Sequence, residues 1–174
     1  MVRFLKTTLC LCVATAAMLV ADAQVKSSKD AVTVGVVTDQ SGTAPGGVIR
    51  AAVVLDIHEG WHTNSSAPHD KYLIATALKF EPLDGVTLGA VVYPPGEDVK
   101  LAFSDDLVSV YEGKVAIGVT ITVSNSAAVG TIALKATLRI QACNDKSCLG
   151  PSNIPVEIQI RVLAAGESPV PLDQ

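Results

Sequence analysis

Two stretches late in the chain, ATLRIQA (136–142) and VEIQIRV (156–162), alternate apolar and polar residues without a break. A period of two places every second side chain on one face, which suits a half-buried strand and no helix. Other β-rich runs precede or contain these: AVTVGVVT (31–38), VIRAAVVLDI (48–57), YLIATALKF (72–80), VTLGAVVY (86–93), VAIGVTITV (115–123), TIALKATLRIQA (131–142) and IPVEIQIRVL (154–163). Turn-prone segments end most of them, among them DQSGTAPGG, EPLDG, Pro94-Pro95-Gly96 and SNSAAVG. Some seven such strands, with one helical turn at most over Ser104–Ser109, predict an all-β antiparallel β-sandwich. With only 4% aromatic residues, its core has to be filled by Val, Ile, Leu and Ala.

The first 23 residues read as a secretory signal. Arg3 and Lys6 precede an apolar run from Leu9 to Val20, too short to span a bilayer, and Ala21-Asp22-Ala23 is a cleavage site of the A-x-A kind. Cleavage takes Cys10 and Cys12 away with Arg3, Lys6 and Asp22. What remains is 151 residues with 11 Lys and Arg against 16 Asp and Glu, net −5. That size suits one domain, read as residues 31–163 between a short linker (24–30) and a polar tail (164–174). A mildly acidic chain without basic runs offers nothing to nucleic acid, and no later segment predicts membrane insertion. The expected product is periplasmic or secreted, in a compartment where disulfides form.

Two cysteines survive, in IQACNDKSCLGP (140–151). Asn-Asp-Lys-Ser between them is a good turn, which predicts that Cys143 and Cys148 face each other across a hairpin within bonding reach. So short a ring contributes only about 2 kcal/mol through loop entropy, an increment a domain of this size does not need. Strand twist and the small ring also favour an easily reduced bond. Lys146 favours a thiolate nearby and Asp145 opposes it. Spacing alone leaves a structural clip and a reactive pair both open. Two cysteines do not make a zinc site.

The segment LRIQACNDKSCLGPSNIPVEIQI (138–160) resembles the end of the N-terminal periplasmic domain of DsbD, the thiol:disulfide interchange protein. EGWHTNSSAPHDKYLIATAL (59–78), VVYPPG (91–96) and VYEGKVAIGVTITV (110–123) fit the same family, so the resemblance spans about residues 30–163. It implies an immunoglobulin-like sandwich that relays reducing equivalents by thiol–disulfide exchange. It further implies that Cys148 forms the mixed disulfide and Cys143 resolves it. An aromatic cap over the pair maps onto loop Pro94–Asp106 with Phe103, and Tyr111 lines the same pocket. The partners implied are thioredoxin-like domains, as electron donor and acceptor, and no metal or organic cofactor is required. Two departures stand out: four residues rather than five separate the cysteines, and the chain ends after one domain, which makes the donor a separate polypeptide.

Other residues carry weaker signals. His58, His62 and His69 cluster in DIHEGWHTNSSAPHD, where a copper or zinc site competes with ordinary loop histidines. Trp61 reads as a plug for one end of the sandwich, with a contact to the cysteines left open. Phe103 reads equally as a cap or a minor core anchor. Three functions therefore stand: a redox exchange protein, an interaction module with a structural disulfide, and a metal-binding protein.

Overall fold

The structure, a computed structural model, describes residues 27–101 and 105–172. It contains a 3-10 turn, η1 (Ser28–Ala31), and eleven strands among those residues. These are β1 (Val32–Thr38), β2 (Val48–Ile57), β3 (His62–Asn64), β4 (Ala77–Phe80), β5 (Val86–Leu88), β6 (Glu97–Lys100), β7 (Leu107–Tyr111), β8 (Lys114–Val123), β9 (Gly130–Ile140), β10 (Ala142–Cys143) and β11 (Ser152–Val162).

Two antiparallel sheets make the sandwich, in the orders β1-β2-β8-β5 and β11-β9-β4. Alternation decides which side chains meet between them. Ile49, Ala51, Val53, Leu55 and Ile57 of β2 and every second residue of β8 from Val115 to Val123 face inward. Leu134, Ala136, Leu138 and Ile140 of β9 and Val156, Ile158, Ile160 and Val162 of β11 close over them, forming one apolar cluster. The polar residues of the same strands take the outer faces. Pro155 lies within β11 without breaking it, because β11 is an edge strand and one of its sides needs no donor. The architecture is an immunoglobulin-like antiparallel sandwich.

A third sheet, β10-β3-β7-β6, continues from one end. The sequence reading missed most of it. Ser104–Ser109 was allowed one helical turn at most, yet Leu107–Tyr111 is strand β7, held between β3 and β6 with Val108 and Val110 buried. Long-range pairing overrides the local preference there. The segment HTN, expected as loop, is likewise strand β3, and all three of its residues are buried.

Two expected strands are shorter than their runs. In YLIATALKF only Ala77–Phe80 pairs, because upstream backbone groups bond elsewhere. The Ile74 N–H donates to Gln141 Oε1 at 3.1 Å and the Ile74 carbonyl accepts from Asn64 Nδ2 at 3.0 Å. VTLGAVVY pairs with β8 over Val86–Leu88, breaks at Gly89-Ala90, and resumes as a single bridge from Val92 to Gly118.

Candidate functional site

The chain reaches the cysteines along β9. After Ile140, Gln141 carries it out of the large ladder, and β10 pairs instead with β3, Ala142 opposite Thr63 and Cys143 opposite His62. A tight turn follows. The Asn144 N–H donates to the Ser147 carbonyl at 2.9 Å, while Asn144 Oδ1 accepts from the Lys146 and Ser147 N–H groups at 3.0 Å each. This self-bonding is why Asn opens turns so readily. The turn returns Cys148 to a position opposite Cys143, where an antiparallel bridge forms and Leu149 N–H donates to the Ala142 carbonyl at 2.9 Å. The two sulfurs are bonded at 2.03 Å, with Cα atoms 3.9 Å apart. The halves of the pair are not equivalent. Cys143 is 0% exposed, whereas Cys148 is only half-buried.

Three surroundings hold this turn. The first is η1, expected from sequence as the end of a linker but built into the fold over Ser28–Asp30. Ser27 and Asp30 bond each other reciprocally, and Ser28 is wholly buried. Ser28 Oγ accepts the Ala142 N–H at 2.9 Å and donates to the Gly150 carbonyl at 2.7 Å, clasping both sides of the cysteine turn. Replacing Ser28 by Ala leaves the buried Ala142 N–H without its acceptor. A loss of about 1–3 kcal/mol is expected in urea unfolding, and a loss below about 0.5 kcal/mol would show the clasp to be dispensable.

Gln141 provides the second support. Its Oε1 accepts from Asn64 Nδ2 and from Ile74 N–H at 3.1 Å each, and its Nε2 donates to the Leu149 carbonyl at 3.2 Å. Loop 65–76, β3 and the strand leaving the turn are thereby joined beside the disulfide. The third is β3 itself. Its consecutive residues His62, Thr63 and Asn64 each carry a buried side-chain atom with no hydrogen-bond partner in the protein, namely Nε2, Oγ1 and Oδ1. Most buried polar groups in folded proteins are paired, so three in a row beside a disulfide mark this strand out. Burial also holds the His62 imidazole below its ordinary pKa, while Glu112 and Asp145 pull it upward.

The residues singled out from the sequence are placed as follows. Trp61 is half-buried against the sandwich core. Tyr111 is buried in β7 opposite Thr63, and by register its side chain leaves the face opposite to that of Cys143. Its hydroxyl donates to the Pro94 carbonyl at 2.9 Å, accepts from the Ser66 N–H at 3.2 Å and lies 3.0 Å from Ser66 Oγ. Phe103 lies outside the described residues, as do Cys10 and Cys12 of the expected signal. The described part of its loop includes β6, which sits three strands from β10, or about 14 Å at ordinary strand spacing.

The histidines do not gather. His58 Nε2 bonds Thr33 Oγ1 at 3.1 Å, His69 Nε2 bonds Asp98 Oδ1 at 2.7 Å, and His62 lies on β3 opposite Cys143 of β10. Among the described residues no group of three or more His, Cys, Asp or Glu side chains is placed to hold a metal ion. Ser28 and Gln141 were missed by sequence reasoning, and His62 was singled out only as a candidate metal ligand. For Ser28 a signal existed, in Ser27 followed three residues later by Asp30, a pattern that caps a helical turn. Gln141 had none, and the histidine cluster that drew attention to His62 pointed to a metal rather than to the cysteines.

Fold and site together define an immunoglobulin-like β-sandwich bearing a short-turn disulfide at one end, with one cysteine sealed in and the other reachable. Residues 30–159 match the family described as thiol:disulfide interchange protein DsbD, N-terminal, and the chain belongs to that family.

Among solved structures, the chain is similar to the DsbD N-terminal domain of Neisseria meningitidis in the reduced form. The identity is 20%, over 83% of this chain and 93% of that one, with a TM-score of 0.43. The N-terminal periplasmic domain of ScsB from Proteus mirabilis is 12% identical, over 73% of this chain and 45% of that one, with a TM-score of 0.47. The chain thus spans less than half of that structure. The complex between the DsbD N-terminal and PilB N-terminal domains of Neisseria meningitidis is 19% identical, over 75% and 84%, with a TM-score of 0.36. No curated protein matches the sequence. Among the described residues no helix is long and apolar enough to cross a membrane.

Proposed function

We propose that this protein is a thiol–disulfide exchange module which passes reducing equivalents to partner proteins through Cys143 and Cys148. The observation that carries the reading is the asymmetry of the pair, a sealed Cys143 bonded to a reachable Cys148, in a chain of this family. In the reduced form, the Cys148 thiolate attacks a sulfur of the partner's disulfide. A Cys148–partner bond forms and the partner's second sulfur leaves as thiolate. Cys143 then attacks Cys148 Sγ, the mixed bond breaks, and the partner departs with two electrons. The exchange balances with two thiols and one disulfide, and calls on no metal or organic cofactor.

The partners under this reading are thioredoxin-like domains, acting as electron donor and acceptor. The place of action is the periplasm or cell exterior, reached through a cleavable signal over residues 1–23, with residues 31–163 as the exchanging domain. Trp61 and Phe103 are the aromatic residues this reading gives to shielding the pair or shaping its approach, while Tyr111, directed to the face opposite Cys143, holds the Pro94 carbonyl instead.

The reduction potential tests the proposal directly. Equilibrated with glutathione or dithiothreitol buffers, the pair is expected within the range of exchange proteins, about −120 to −270 mV. A value below about −300 mV belongs to bonds that stay closed. It would hand the function to the alternative reading, an interaction module with a structural clip.

A further inference from the structure

We infer that His62 is the proton acceptor for Cys143, its imidazole taking the thiol proton as Cys143 attacks the mixed disulfide on Cys148. This rests on the exchange reading above and adds to it a residue that spacing and motif did not suggest.

His62 and Cys143 are directly opposed across the β3–β10 pair. Opposed residues send their side chains to the same face, with Cβ atoms about 4.5–5.5 Å apart. His62 is 3% exposed and its Nε2 has no partner in the protein, whereas His58 and His69 are both exposed and both bonded. An unpaired buried nitrogen is costly to keep. In the disulfide form the residue opposite it offers no S–H. Reduction creates one there, so the unpaired nitrogen gains a candidate partner only in the state that does the chemistry.

The need for a base is equally specific. Cys143 is sealed from water, and burial disfavours its thiolate. A neutral thiol is a poor nucleophile, so the resolving step requires the proton to move. Cys148, half in solvent, can lose its own proton to water. Burial keeps the His62 ring neutral and therefore able to accept, and the nearby carboxylates of Glu112, which follows β7, and Asp145, in the cysteine turn, offset the positive charge it then carries. Further charged groups come from Lys146 in the same turn and from Lys29 and Asp30 of η1, which packs against β10, with Asp30 bonded to Ser27.

The step balances. The Cys143 S–H bond breaks and its proton goes to the imidazole, while the sulfur electron pair forms the Cys143–Cys148 bond. The pair from the broken Cys148–partner bond leaves on the partner's sulfur. The imidazolium then returns its proton to water or to that leaving thiolate.

The test follows the two steps separately. The reduced protein is mixed with 5,5′-dithiobis(2-nitrobenzoate), and the two releases of thionitrobenzoate are timed from about pH 5 to 9, the span over which imidazole and thiol titrate. The first release reports attack by Cys148, and the second reports resolution by Cys143. His62→Gln is expected to slow the second release at least tenfold at neutral pH, within the usual reach of general-base catalysis, and to leave the first unchanged. Its second release should recover only as the pH approaches the unassisted thiol's own ionisation. An unchanged second release, in rate and in pH profile, overturns the inference.

Should His62→Gln not fold, the ring-nitrogen resonances of His62 in the natural chain serve instead. Reduction is expected to shift them, and identical resonances in both redox states overturn the inference. Failure of the exchange reading has a different mark, since the natural pair would then resist reduction whatever occupies position 62.

Discussion

Cys143→Ala is expected to trap a disulfide partner on Cys148, while Cys148→Ala is expected to capture almost none. The difference follows from burial. A thiol at position 148 meets a partner without rearrangement, whereas one at position 143, 0% exposed, reacts only when the cysteine turn opens. An opening that costs about 3 kcal/mol separates the two rates by on the order of a hundredfold. The measurement is the adduct formed with oxidised glutathione, followed by intact mass over time for each single-cysteine variant. Comparable rates for the two variants would mean that the sealed sulfur is not sealed in solution, and the assignment of Cys148 as the attacking residue would fall.

Ile140→Ala is expected to be the most damaging single truncation near the site, at about 2–5 kcal/mol. Ile140 is fully buried, belongs to the main core cluster, and pairs with Ser152 at the last rung before β9 leaves its sheet. Its removal opens a cavity where the sandwich hands the chain to the cysteine turn. Urea denaturation of the oxidised protein gives the value. A cost under about 1 kcal/mol would mean that the neighbouring side chains collapse into the space, and that the turn is held from its other supports.

The larger sheets were legible because their information is local. VIRAAVVLDI became β2 residue for residue, and VEIQIRV kept its alternation as the inward and outward faces of β11. Asn-Asp-Lys-Ser read as a turn because the Asn side chain supplies the turn's own bonds. The small sheet was illegible for the opposite reason. His62–Asn64 is three residues long, too short to display a period, and it is a strand only because β7 and β10 flank it. Leu107–Tyr111 went unread as a strand for the same lack of local evidence, its first residues falling in the segment Ser104–Ser109 that was allowed one helical turn at most. The residues around the disulfide inherit that difficulty. Gln141 matters through bonds to Asn64, Ile74 and Leu149, and two of those partners are more than sixty positions away.

The clasp made by Ser28 carries a lesson for anyone excising this domain. The family match begins at residue 30, two positions after the hydroxyl that bridges Ala142 and Gly150. A cut placed at that apparent boundary would keep every strand of the sandwich and discard the bracket behind the cysteines. Redox measurements on such a fragment would describe a turn released on one side, and its potential would not be that of the intact chain. Any excision has to start upstream of Ser27, so that the capped turn travels with the site it braces.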